Sequence, residues 1–118
     1  MPEESDVSTG CNEVRLVGRV TSAGVERELP SGDRVLGFRM SVARSRSPMT
    51  AGSRQTSDWM DCAVWGGRVR RSAASWQVGD LVEVRGALRR RFFRGGQGAA
   101  GTRVEVEVLT GRRLERAP

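Results

Sequence analysis

Between Asn12 and Leu109 the chain reads as five runs in which apolar and polar positions alternate, broken by turn residues and one stretch of different period. Alternation with period 2 marks a strand that buries one face. The first run, Asn12 to Val20, sets Val14, Leu16, Gly18 and Val20 against Arg15, Val17 and Arg19, and Gly18 inside it predicts a bend or bulge. A polar connection containing Val25 to Glu28 and the turn Pro30, Ser31, Gly32, Asp33 lead into a second strand, about Arg34 to Arg44. Its inward set is Leu36, Phe38, Met40 and Val42; Val35, Gly37, Arg39, Ser41 and Ala43 point outward. The third strand is Trp59 to Gly66, with Met60, Cys62 and Val64 on one face and Trp59, Asp61, Ala63 and Trp65 on the other. After Gly66 and Gly67 the spacing turns helical from Arg68 to Trp76, placing Val69, Ala73 and Trp76 on one side, so Trp76 is expected in the core. Val78, Gly79 and Asp80 turn the chain into a fourth strand. There Val82, Val84, Gly86 and Leu88 face in and Leu81, Glu83, Arg85 and Ala87 face out, and the strand runs on into Arg89 to Arg94. Gly95 to Gly101 reads as a hairpin tip, and the fifth strand, Thr102 to Leu109, turns Val104, Val106 and Val108 inward and Arg103, Glu105 and Glu107 outward.

Five short strands with a helix between the third and fourth predict an all-β fold, a five-stranded OB-fold Greek-key barrel. At 118 residues the chain is one domain. The expected division is a disordered acidic segment over 1–11, the barrel over 12–110 and a short basic tail over 111–118.

Composition sharpens the partner. Twenty basic residues against fourteen acidic ones give a net charge of +6, and every basic residue is arginine. Three of the acids, Glu3, Glu4 and Asp6, crowd the N-terminus, so the rest of the chain is more basic still. A guanidinium is a planar fork that pairs with phosphate and stacks on bases, which points to a polyanion. The two cysteines, Cys11 and Cys62, match no metal-ligand spacing and read as free thiols. Without histidine, and with Asp58 and Asp61 on opposite faces of their strand, neither a metal site nor an enzyme is expected, and no cofactor. No leader or membrane-spanning run is apparent, which gives a soluble, cytoplasmic expectation.

The third strand carries the candidate chemistry. An unpaired carboxylate costs several kcal/mol to bury, so Asp61 turns the face of Trp59 and Trp65 outward, with the indoles about 20 Å apart along an extended strand. In the fourth strand adjacent Phe92 and Phe93 must point to opposite sides, and Phe93 is expected to be the exposed ring. Aromatics amid arginines form a stacking platform for single strands. The candidate binding residues are Trp59, Trp65, Phe93, Arg39, Arg44, Arg46, Arg54, Arg89, Arg90, Arg91 and Arg94, the middle ones drawn from the long irregular segment between Arg44 and Asp58.

Specific positions resemble the bacterial single-stranded DNA-binding protein family across Asn12 to Leu109. Asn12, Val14, Leu16, Val17 and Gly18 are similar to its first-strand signature; Ser31, Gly32, Val35, Phe38 and Met40 to its second-strand entry. Trp59 with Val64, Trp65 and Gly66 is similar to the third-strand motif, and Gly79, Asp80, Val82, Val84, Gly86, Leu88, Arg91 and Phe93 to the fourth. The resemblance implies an OB-fold that binds single-stranded DNA without sequence preference in replication, recombination or repair, assembled as a homotetramer, with a dimer as the alternative. It also implies stacking roles for Trp59, Trp65 and Phe93. Arg46 stands near a position where many members carry another tryptophan, and Asp61 where a basic residue is common. The chain stops at Pro118 without an acidic tip, so recruitment of the usual repair partners is not expected. Two further readings are an RNA-binding OB-fold and a protein-interaction subunit of a replication or restart complex.

Overall fold

The computed structural model describes residues 9–94 and 100–118, apart from the side chains of Phe93, Arg94 and Ala100. Among them β1 (Val14–Glu28), β2 (Arg34–Ala43), β3 (Ser57–Val64), β4 (Leu81–Arg94) and β5 (Ala100–Glu115) surround one core, with the helix α1 (Gly67–Ala73) between β3 and β4. The strands close into a barrel in the order β1-β2-β3-β5-β4, β4 returning to β1. All pairings are antiparallel except β3 with β5, which run parallel through Cys62 with Val106 and Ala63 with Glu107. This is the all-β, five-stranded OB-fold with a helix between the third and fourth strands that the alternation predicts.

The inward sets fill the barrel. Val20, Leu36, Met40, Val64, Val82, Val84 and Val106 are fully enclosed, and Phe38 and Cys62 are nearly so. Ala73 of α1 and Trp76 beyond it plug one end of the barrel. The Trp76 ring meets Phe38 edge to face, with centroids 5.4 Å apart, a favoured geometry for two quadrupoles. The hairpin between β1 and β2 turns where Pro30 to Asp33 foretell it, with Gly32 at φ 91°. Asn12 extends the β1–β4 pairing by one step. Its amide donates to the Leu88 carbonyl at 2.7 Å and accepts from the Leu88 N–H at 2.9 Å, imitating a peptide group where β1 ends.

Several positions depart from simple alternation. β1 continues through Val25 to Glu28, the segment read as a connection, because register shifts at Ser22 let it curl and keep pairing with β2. β5 likewise runs past Leu109 to Glu115 and pairs with the start of β4, so residues 111–115 of the expected tail are strand. Val35, Ala63 and Ala87 are buried although they face outward. They lie beside Arg27 or Glu107 in the ladders, and those long side chains cover them. Leu88 and Val104 face inward by sequence yet are exposed. β1 pairs with β4 only as far as Gly86, and Val106, opposite Leu88, is the last β5 residue in the core toward the tip, so beyond that pair the β4–β5 ladder is an arm with no core beneath it. The acidic segment expected over residues 1–11 falls, for residues 1–8, outside the described residues, as does the hairpin tip at residues 95–99.

Two glycines permit closure. A side-chain carbon at Gly18 would overlap the Ser41 carbonyl oxygen, and one at Gly86 would overlap the Glu107 carbonyl oxygen. Both contacts are with backbone, which cannot rotate aside. On the outer surface Glu83 is covered by Arg15, at 2.6 Å, and Arg112, at 3.1 Å. Hydrogen bonds from these two guanidinium groups hold its carboxyl below the usual carboxylate range. Asp80 accepts the backbone N–H groups of Gln77 and Ala117, at 2.9 and 2.8 Å, and fastens the end of the chain to the β4 turn.

Gly86→Ala is expected to cost about 3 kcal/mol, the upper end for overpacking, in urea unfolding. Gly37→Ala, whose added carbon meets nothing closer than 3.9 Å, should stay within about 0.5 kcal/mol of the parent. Because the Glu83 carboxyl is lowered in the folded state, its contribution is complete above the ordinary carboxylate pKa and is lost as the pH falls through the folded value. Thermal melts between about pH 5 and pH 2 should therefore fall less steeply in Glu83→Gln than in the parent.

Candidate functional site

The outer faces of β2, β3 and β5 lie side by side, flanked by the end of β1 and the β4–β5 arm. Across β2 and β3 the register pairs Arg39 with Asp61 and Ser41 with Trp59. Same-face neighbours therefore bring Arg39, Asp61 and Trp59 together. The Arg39 guanidinium carbon lies 4.2 Å from the Trp59 ring centroid, a cation–π contact. Its Nε donates to Asp61 Oδ1 at 3.1 Å. Trp59 remains 60% exposed, so the outward assignment of this face holds for it.

Next to this pair runs a groove of about 300 Å³ whose charged lining includes Arg27, Arg39, Asp61, Arg91, Arg103 and Glu105, with Ala63 and Cys62 in its floor. A second cleft of about 540 Å³ lies between Trp65 and the arm residues Arg89, Arg90, Arg91 and Phe92, with Glu105 and Glu107. The two share Arg91 and Glu105, which form an ion pair at 3.1 Å, so they are one continuous surface. Trp65 lies just past the end of β3 and is 38% exposed. Its carbonyl accepts a hydrogen bond from Arg70 Nη1 of α1 at 2.9 Å, which fixes the backbone that carries the indole. Arg70 Nε in turn lies 3.1 Å from Glu26 Oε1, off line for a hydrogen bond, so that contact is an ion pair.

The structure brings together Trp59, Trp65, Arg39, Arg89, Arg90 and Arg91 of the sequence-derived set. Arg89 pairs with Glu107 at 2.8 Å, and Arg90 donates to Thr102 Oγ1 at 3.1 Å. Arg44 is elsewhere engaged: its Nε and Nη2 both donate to the Asp58 carboxylate at 2.8 Å, closing the base of the 44–56 segment. Hydrogen bonding to Arg44 lowers the Asp58 carboxyl and raises the guanidinium. Arg46 and Arg54 are exposed on that segment and have no acidic partner among the described residues. The segment itself is held by Thr50, whose hydroxyl accepts the Ser47 N–H at 2.9 Å and lies 3.0 Å from the Ser45 carbonyl.

The expected exposure of Phe93 and the role of Arg94 rest on side chains outside the described residues. Phe92, the partner expected to be buried, is 75% exposed, because the arm has no core under either face. Arg27 and Arg103 were missed. Arg103 stands opposite Arg91 in the ladder, whereas counting back from a Gly95 to Gly101 tip sets Glu105 there, because the ladder runs two residues closer to the tip and pairs Arg94 with Ala100. Arg27 had no signal either, since its segment did not read as strand.

Among the described residues no group of three His, Cys, Asp or Glu side chains could hold a metal ion, and no helix is long and apolar enough to cross a membrane. The Single-strand binding protein family matches this chain over residues 11–114. The fold is similar to that of a Plasmodium falciparum single-strand binding protein solved in complex with single-stranded DNA, at 20% identity and a TM-score of 0.71, over 90% of this chain and 95% of that one. No curated protein sequence matches the chain.

Burial pushes the Cys62 thiol up to about 12, with the Asp61 and Glu105 carboxylates adding to the effect, so thiolate is absent at neutral pH. Cys11 is exposed. A thiol-reactive chromophore should accordingly modify Cys11 promptly in the native protein and Cys62 only after denaturant is added.

Proposed function

The chain belongs to the single-strand binding protein family, and from its outer-face geometry we propose that it binds single-stranded DNA without sequence preference, laying the strand along the groove and cleft between Trp59 and Trp65. The observation that carries this reading is the continuity of that surface: two exposed indoles at its ends, with the guanidinium groups of Arg39, Arg91, Arg103 and Arg89 between them. Bases stack on indoles whatever their identity, and arginines neutralise the phosphates, so affinity follows chain length and salt rather than sequence. Phe92 and Arg90 on the arm extend the platform, with Phe93 and Arg94 as candidates from the sequence alone; Arg46 and Arg54 supply charge from the 44–56 segment. Arg44 serves that segment through Asp58 rather than the nucleic acid. The family supports action in replication, recombination or repair, in the cytoplasm, as a homotetramer.

Titration with a polypyrimidine DNA oligonucleotide should quench tryptophan fluorescence, and affinity should fall steeply with salt. Trp59→Ala is expected to lose roughly 1 to 3 kcal/mol, the worth of one stacked base. Arg46→Ala should flatten the plot of log affinity against log salt by about 0.7, the single-strand value per phosphate. A matched RNA strand used as competitor separates the RNA-binding reading. Absence of quenching at low salt would overturn the proposal.

A further inference from the structure

The arginine–carboxylate pairs on this barrel differ in which nitrogen makes the contact. Arg44 and Arg15 grip Asp58 and Glu83 side-on, each through Nε and Nη2 together, so the carboxylate takes the long edge of the fork. Arg39 and Arg89 are held differently. The contact of Arg39 with Asp61 is through Nε at 3.1 Å, and that of Arg89 with Glu107 is through Nε at 2.8 Å. Each of these two arginines borders an exposed tryptophan. Arg39 covers Trp59, and Arg89 lines the cleft of Trp65.

The carboxylates also lie lower than the groups they hold. The side chains of Asp61 and Glu107 are 23% and 29% exposed, against 46% and 53% for Arg39 and Arg89. A guanidinium anchored from beneath at Nε keeps its two terminal nitrogens outward, the edge that meets a phosphate with two parallel hydrogen bonds. A free arginine carries considerable rotamer entropy, and anchoring removes it before the ligand arrives.

Resting on the single-strand reading above, we propose that Asp61 and Glu107 are positioning residues for DNA binding. They hold Arg39 and Arg89 by Nε so that the Nη edges present to successive phosphates beside Trp59 and Trp65. The position of Asp61, where a bare carboxylate would repel the strand, then has a purpose: its charge is covered by Arg39, and its geometry aims that group. The sign of the effect is opposite to what charge alone dictates.

The test is oligonucleotide titration of the full chain across a salt series, with Asp61→Ala, Glu107→Ala, the conservative Asp61→Asn and Glu107→Gln, and Glu115→Ala as a remote control. Glu115 sits at the far end of β5, 3.6 Å from Arg19, and its removal changes the net charge equally. The alanine variants should bind about two- to tenfold more weakly, the cost of immobilising one side chain on binding, with the salt slope unchanged because each arginine still reaches its phosphate. The amides still accept from Nε and should restore binding to near the parent. Glu115→Ala should bind as well as the parent or slightly better. Arg39→Lys keeps the charge but has no Nε to anchor, and should bind about two- to tenfold more weakly as well, which keeps the test open if Asp61→Ala fails to fold. Alanine variants that fold and bind as tightly as the parent, or more tightly, overturn the positioning role while leaving DNA binding intact. A parent chain that binds no oligonucleotide at low salt overturns both.

Discussion

Closure of the barrel is the constraint from which the site follows. β1 must pair with β2 along one edge and β4 along the other, and β3 must reach β5 in parallel. A strand shared in this way has to curl sharply, and its neighbours approach until backbone touches backbone. Gly18 against Ser41 and Gly86 against Glu107 are those contacts, where any side chain would force the strands apart. Opening the ring at Gly86 would part β4 from β5, and opening it at Gly18 would let β2, β3, β5 and β4 uncurl as an open sheet. Trp59 and Arg39 stand on β3 and β2 and Arg89 and Arg91 on β4, so the proposed binding surface keeps its curvature only while the ring is closed.

The same closure explains why charged residues crowd a face that is partly covered. Glu83 and Glu105 are buried carboxylates outside the core, each enclosed by arginines rather than by apolar groups. A buried charge is tolerated when it is paired and its remaining lone pairs are satisfied. Arginine suits this task because one guanidinium can face a carboxylate on one edge and present another edge to solvent. A lysine ammonium, a point donor, has no second edge in a fixed plane.

Much of this was legible in the sequence. The inward sets of β2, β3 and β5 at Phe38, Met40, Cys62, Val64, Val106 and Val108 follow from alternation alone, and helical spacing assigns Trp76 to the core against the habit of reading tryptophans as ligands. Asp61 correctly turns Trp59 outward. What alternation cannot convey is where a face stops having anything to cover it. Leu88 and Val104 keep the inward phase after the core has ended, whereas Ala63 and Ala87 keep the outward phase beneath longer neighbours. Ion pairing was equally hidden. Arg44 and Arg39 look alike as strand-end and mid-strand arginines, and only the β2–β3 register shows that one meets Asp58 side-on and the other meets Asp61 by a single nitrogen.

This difference separates attraction from grip. At a distance beyond roughly 8 to 10 Å in physiological salt, individual pairs are screened, and a polyanion responds to the summed charge, here +6. At contact the sum matters less, because an edge of a guanidinium that a carboxylate occupies offers nothing to a phosphate however basic the chain is. Counting arginines in the sequence therefore measures how the protein draws a nucleic acid toward it. On the proposed reading, how firmly it holds one depends on which edges stay open, and the strand register that places Asp61 by Arg39 and Glu107 by Arg89 sets that.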